Sequence, residues 1–238
     1  MVANDETVET LYNTFIDICP SFEGLLYPGG FRDSGLAVVS SVFSIQAKDD
    51  AVRSVVDRFA HRQGVEVAAL GGPDREPDGY SVARLAEDLE HLSEDVLTDD
   101  VFENRAKSAR ADRTKAALVQ EVARKLVDAG ASSRDDVAMS PSGEQYELQK
   151  KAWTGVHGLG WVTFEYFRLL CGAETAKPDV MINRWLGNAL EREVDAKTAL
   201  SMVKELAAEL ERRWAVEISP RAVDHTIWFH ESGRAETD

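Results

Sequence analysis

The chain has 238 residues, 44% of them hydrophobic, with 42 acidic side chains against 27 basic ones. That length and apolar content suit one large or two small globular domains and exclude a disordered or fibrous chain. A formal charge of −15, taken alone, argues against a nucleic-acid partner, because a polyanion repels a polyanion unless basic residues are segregated on one face.

Strand signals are scarce and apolar residues recur at helical spacing, so the sequence predicts an all-α fold. Leu11, Phe15 and Ile18 stripe a first helix. Ser34 is placed to cap a second, with Leu36, Val39, Val42 and Phe43. Asp49 or Asp50 is placed to cap a third, with Val52, Val55, Val56 and Phe59, which stops at Gly64. Gly71 to Gly79 is a loop by composition. Helices are expected again over Ser81 to His91 and from about Asp112, where Ala117, Val119, Val122, Leu126 and Val127 precede Gly130. Ser140-Pro141-Ser142-Gly143 breaks the chain before a helix over Glu144 to Trp153. The glycine-punctuated segment Val156 to Gly160 follows, then an apolar helix over Trp161 to Leu170. Beyond Lys177-Pro178-Asp179 the pattern predicts a helix to about Leu190 and a longer one over Ala196 to Arg213. A last helix opens at Ser219-Pro220 with proline in its first turn.

Two distant cysteines, Cys19 and Cys171, supply neither a disulfide framework nor a Cys-rich metal or cluster site, and fit a reducing cytoplasm. No stretch approaches the roughly 20 apolar residues of a membrane span. The N-terminal segment is acidic without an apolar core, so neither a span nor a signal peptide is expected. His225 and His230 stand five apart, a poor spacing for paired ligands on one helix face, and no metal is expected.

Charge is unevenly spread. Arg105, Lys107, Arg110, Arg113 and Lys115 fall within eleven residues holding one acid, Asp112, and Arg124 and Lys125 follow. Two readings stand side by side, a solvated connecting segment and a phosphate-contacting patch. In Val156-His157-Gly158-Leu159-Gly160, two glycines around one apolar residue allow a tight turn whose amides open toward the next helix, a ready anion site. A plain helix-helix turn is the alternative. No Gly-Lys-Ser/Thr follows and no strand precedes, which excludes a P-loop and a Rossmann turn.

Nineteen residues after Gly160, Asp179 stands at a helix start. This helix, hairpin and helix, followed by the bend at Cys171-Gly172 and then Asp179, resembles the helix-hairpin-helix base-excision DNA glycosylases, the HhH-GPD superfamily that includes the endonuclease-III-like enzymes. Ser44-Ile45-Gln46-Ala47-Lys48-Asp49 is similar to the family's Ser-x-Gln-x-x-Asp turn. Arg113-Thr114-Lys115-Ala116 resembles its basic helix start, and Val223 to Trp228 with Gly233-Arg234 its closing helix. The resemblance covers roughly residues 33 to 234.

It implies a two-lobed all-α fold with a cleft between the lobes. One lobe is residues 34–150, leading into the helix-hairpin-helix at 144–172, and the other combines 1–33 with 173–238. It implies that Gln46 enters the space left by a flipped base. It also implies that Val156, Gly158, Leu159 and Gly160 form a hairpin whose amides hold a phosphate, with a monovalent cation there and no other cofactor. Arg113, Lys115, Lys150 and Lys151 would track the DNA backbone.

Asp179 fits the chemistry. Breaking an N-glycosidic bond builds positive charge on the sugar, which a carboxylate beside C1′ stabilises while orienting or deprotonating the attacking water. An aspartate at a helix start is also a common N-cap, and the two roles are compatible. Bifunctional members carry a Schiff-base lysine two residues after the second hairpin glycine; this sequence has Val162. The four C-terminal cysteines of cluster-bearing members are absent. The resemblance therefore implies a monomeric, monofunctional DNA glycosylase of base excision repair, free of an iron-sulfur cluster and acting on damaged, mispaired or modified bases in duplex DNA, unless Lys177 substitutes for the missing amine. The alternatives are a non-catalytic hairpin module that binds DNA, and an acidic helical protein-interaction domain. Trp153, Trp161, Phe164, Tyr166 and Phe167 crowd the hairpin, mostly as core.

Overall fold

The structure, a computed structural model, describes residues 5–69, 77–108 and 111–233. Arg110, Arg234 and residues 71–76 of the expected loop lie outside the described residues. The chain is mainly helical and divides into two compact units, Gly29–Ala173 and Met1–Pro28 with Glu174–Asp238. Each has its own apolar core.

In the continuous unit, α2 (Ser34–Phe43) is buried at all ten positions. Its run of apolar and small residues without a charge is what a helix enclosed on every side requires. Around it pack α3 (Asp49–Gln63), α4 (Val82–Leu89), α6 (Lys115–Asp128) and α9 (Trp161–Leu170). Gly35 is needed here, since a Cβ would lie 2.7 Å from the Tyr80 ring. The remaining elements are α5 (Glu94–Val96), which runs into a π-helical turn over Leu97–Val101, the strand pair β1 (Lys107–Ser108) and β2 (Arg113–Thr114), α7 (Arg134–Ala138) and α8 (Glu144–Thr154). Phe59 stacks on Phe102 at 4.9 Å and Trp153 on Phe167 at 5.0 Å.

A buried charged group ties α8 to α9. Arg168 donates to Glu165 at 3.0 Å and to the Ser140 carbonyl at 3.0 Å, and the Tyr146 hydroxyl donates to Glu165 at 2.7 Å. The phenol, raised above its ordinary value by burial and by Glu165, keeps its proton and serves as a donor.

The discontinuous unit contains α1 (Asp5–Ile18), α10 (Val180–Leu190), α11 (Ala196–Trp214) and α12 (Pro220–Glu231). Leu11 and Phe15 of α1 meet Trp185, Leu206, Leu210 and Ile227 in one core. Ser219 caps α12, accepting from the Arg221 amide at 3.1 Å, with Pro220 at the first position.

The longer predicted helices are present, and the differences lie in the connections. Ser34 is the first residue of its helix and Asp33 is the cap, because the Ser34 hydroxyl is engaged by Asp78 at 2.6 Å and by the Val82 amide at 3.1 Å. Lys48 takes the cap of α3, leaving Asp49 and Asp50 in the first turn, where the helix dipole favours them. Residues 29–33 belong to the continuous unit. The Phe31 amide donates to Leu170 at 2.9 Å and Arg134 donates to the Arg32 carbonyl at 3.0 Å.

Candidate functional site

The turn between α8 and α9 is built by its two ends. At one, Lys125 of α6 donates to the Gly155 carbonyl at 3.0 Å. At the other, Thr163 donates to the Gly160 carbonyl at 2.7 Å and accepts from the Gly160 amide at 3.3 Å and from the Trp153 indole at 2.9 Å. Val156 and Leu159 are buried beneath it. Gly158 has φ +109, and a Cβ there would stand 2.9 Å from Ala111 Cβ and 3.1 Å from Ser108 Oγ, so glycine is the residue this close approach admits. Val162, in the first turn of α9, offers no amine.

The basic residues divide by their partners. Arg105 pairs with Asp99, and Lys107 with Asp112 at 2.9 Å. Arg113 donates to Glu121 at 2.6 Å, and Lys125 meets the other oxygen of that carboxylate at 2.8 Å. Burial works against the charge on Glu121, but hydrogen bonds from Lys125 and Arg113 outweigh it and hold the carboxyl below its ordinary value. Lys150 contacts Glu147 at 3.2 Å and lies over the Tyr146 ring. Arg124 and Lys151 are exposed and have no partner among the described residues. Lys151 stands in the last turn of α8 and Arg124 just before the last turn of α6, near where Lys125 joins the two helices at Gly155.

Lys115 does not belong with them. It is 4% exposed, and its ammonium donates to the carbonyls of Phe43 at 3.0 Å and Ile45 at 2.5 Å. A lysine buried in this way is not free to contact a phosphate, contrary to the backbone-tracking role expected of it. The sequence held the signal: Lys115 lies three, four, seven and eleven residues before Leu118, Val119, Val122 and Leu126, on the inward stripe of α6. Gln46, by contrast, is exposed at the tip of the turn between α2 and α3 with φ +50.

In the discontinuous unit, Asp179 caps α10. Its Oδ1 accepts from the amides of Met181 at 2.9 Å and Ile182 at 3.4 Å, and Oδ2 lies 3.7 Å from the Lys177 ammonium. Both side chains keep about a fifth of their surface exposed, 21% for Asp179 and 22% for Lys177. Behind them is a residue the sequence reading passed over, Asp224 of α12. Its buried carboxyl accepts from the Lys177 amide at 2.8 Å, and burial, with Asp179 nearby, pushes it up to about 8 against the opposing pull of Lys177. The available signal was an acid three residues before Ile227, on the apolar face of α12. His225 stacks on Trp228. Among the described residues no group of His, Cys, Asp and Glu is arranged to hold a metal ion, and no helix is long and apolar enough to cross a membrane.

Fold and site together define an all-α chain of two helical units, one with a glycine turn between helices and the other with a carboxylate-capped helix. Residues 21–232 match the family described as a domain of unknown function, DUF8548, and the chain belongs to that family. No curated protein and no solved structure matches it.

Proposed function

We propose that the protein is a monofunctional DNA glycosylase, which hydrolyses the N-glycosidic bond of a damaged, mispaired or modified base in duplex DNA during base excision repair. One observation carries the reading. A glycine-turned helix pair, with Lys151 on it and Arg124 on the adjoining α6 both without partners among the described residues, is followed in the same chain by the partly exposed carboxylate of Asp179 held at a helix start. In this scheme Asp179 stabilises the positive charge that grows on the sugar as the bond to the base lengthens. Water adds to C1′ and the base leaves with a proton, giving an abasic site. The turn at Gly158 and Gly160 holds a phosphate, with a monovalent cation bound there. Arg124, Lys150 and Lys151 run along the backbone, with Arg113 in reach once it leaves Glu121. Val162 supplies no imine-forming amine, so the strand stays intact. The protein acts as a cytoplasmic monomer.

A panel of duplexes bearing alkylated purines, uracil or thymine opposite guanine, and oxidised purines, read by abasic-site detection, tests this. Base release from at least one supports it. Salt-sensitive duplex binding with no release from any favours the second reading, a non-catalytic DNA-binding module. The occupation of both Asp179 oxygens, by helix amides and by Lys177, speaks for that alternative.

A further inference from the structure

Lys115 spends its charge in an unusual place. Burying an ammonium is costly, and an apolar side chain would fill the same position on the α6 stripe without that cost. Burial accordingly lowers its proton affinity. Its acceptors are the carbonyl of Phe43, the last residue of α2, where helical carbonyls lack intrahelical partners and a cation is favoured by the dipole, and that of Ile45 in the turn just beyond.

The second of these carbonyls, on Ile45, belongs to the peptide that leads directly into Gln46. Gln46 is not glycine, yet it sits in the left-handed region, a conformation that persists where the surroundings over-determine it. Its side chain is exposed and has no partner among the described residues. The base of the turn is held by burial and hydrogen bonds. All of α2 is buried, Ser44 bonds back to the Ser41 carbonyl at 2.8 Å, and the Ala47 amide closes on Ser44 at 3.3 Å.

We propose that Lys115 is a positioning residue for Gln46: by holding the Phe43 and Ile45 carbonyls it locks the 44–48 turn so that the Gln46 side chain projects outward, ready to enter a vacated position in a base stack. What Gln46 enters rests on the glycosylase reading; the lock on the turn does not. Lys115 thus acts through the backbone and touches no DNA.

The test uses the full chain with Lys115→Met, Gln46→Ala and the double variant, in two measurements. Backbone amide exchange is expected to be at least tenfold faster at residues 44–48 in K115M and unchanged in the centre of α6. Binding to a duplex with a tetrahydrofuran abasic site beside 2-aminopurine is expected to weaken about tenfold in each single variant. The double variant should be no weaker than either single one, because both remove the same inserted group. Unchanged exchange at 44–48, or losses that add in the double variant, overturns the proposal. If the wild type does not distinguish the abasic duplex from an intact one, the glycosylase reading fails and the exchange measurement alone decides the role of Lys115. Should K115M not fold, Lys115→Gln, shorter but still a donor, is read in the same way with smaller shifts.

Discussion

The buried carboxyl of Asp224 accepts a hydrogen bond from the Lys177 amide at 2.8 Å, and so fixes the chain two residues before the cap of α10. With its affinity pushed up to about 8, chiefly by burial, Asp224 is largely protonated at neutral pH. An unfolded aspartate titrates near ~4. Between those two values the folded chain holds more protons at this group than the unfolded chain, so its contribution to stability falls as pH rises from about 4 to about 8 and is level above that. Asp224→Asn keeps an acceptor for the Lys177 amide and does not titrate. Denaturation of the two proteins across pH 5–9 is expected to show the variant gaining on the wild type up to about pH 8 and no further. A constant gap would remove the raised affinity from the account.

Asp179→Asn separates the cap from the chemistry. Asparagine caps helices about as well as aspartate, so the melting temperature should move little. On the glycosylase proposal, loss of the charge set against the sugar is expected to slow base release by at least ~100-fold, the scale of losing one preorganised electrostatic group, while duplex binding stays within a few-fold. Single-turnover release beside a binding titration checks this. Binding lost together with release would assign Asp179 to contact and not to catalysis.

The division of the cations predicts how binding responds to salt. Neutralising an exposed lysine or arginine that contacts a phosphate lowers the slope of log affinity against log salt by about one. Arg124→Gln and Lys151→Gln are expected each to do so. Lys115→Met, which alters a group buried under the α2–α3 turn, is expected to change affinity without changing that slope.

Gly158→Ala tests the turn itself. The added carbon meets Ala111 at 2.9 Å and Ser108 at 3.1 Å, at a φ of +109. Strain of this kind costs roughly 1–3 kcal/mol. For a chain of this size that corresponds to a fall in melting temperature of a few to about 10 °C, at roughly 2–4 °C per kcal/mol. Thermal denaturation measures it, with Gly143→Ala, where nothing lies within 4 Å of the new carbon but φ is also positive, as the comparison for backbone strain alone.

Borohydride reduction of the protein on an abasic duplex is expected to trap no covalent adduct. Val162 has no amine, and the Lys177 side chain lies 3.7 Å from the Asp179 carboxylate, an ion pair that a Schiff-base step would have to break. An adduct that disappears in Lys177→Arg would assign a lyase step to Lys177.

Periodicity made the long helices legible: the spacing of Val52, Val55, Val56 and Phe59, or of Met202, Val203, Leu206 and Leu210, follows directly from the face each helix buries. The cap at Asp179 and the left-handed Gly64 were equally local. What escaped was short or depended on distant partners. The π turn at Leu97–Val101, the two-residue strands and α7 are too brief to show a period. The basic run from Arg105 to Lys115 reads as one patch in sequence, but among its described members Arg105, Lys107, Arg113 and Lys115 are distributed among Asp99, Asp112, Glu121 and two backbone carbonyls. Arg124 and Lys151, further along, are exposed cations without partners among the described residues. Asp224 was hidden for the opposite reason, since its meaning depends on Lys177, 47 residues away.

The interrupted unit also sets an order of events during synthesis. Leu11 and Phe15 emerge first, but their core partners from Ile182 to Ile227 come only after the whole of Gly29–Ala173 has been made. At roughly 5–20 residues per second the apolar face of α1 waits on the order of ten seconds for its partners, while the intervening unit already has every segment of its own core. Chains halted once α9 has left the ribosome but before α10 has should therefore resist protease across that unit while α1 is cut, and the resistance of α1 should appear only once α12 has left the ribosome.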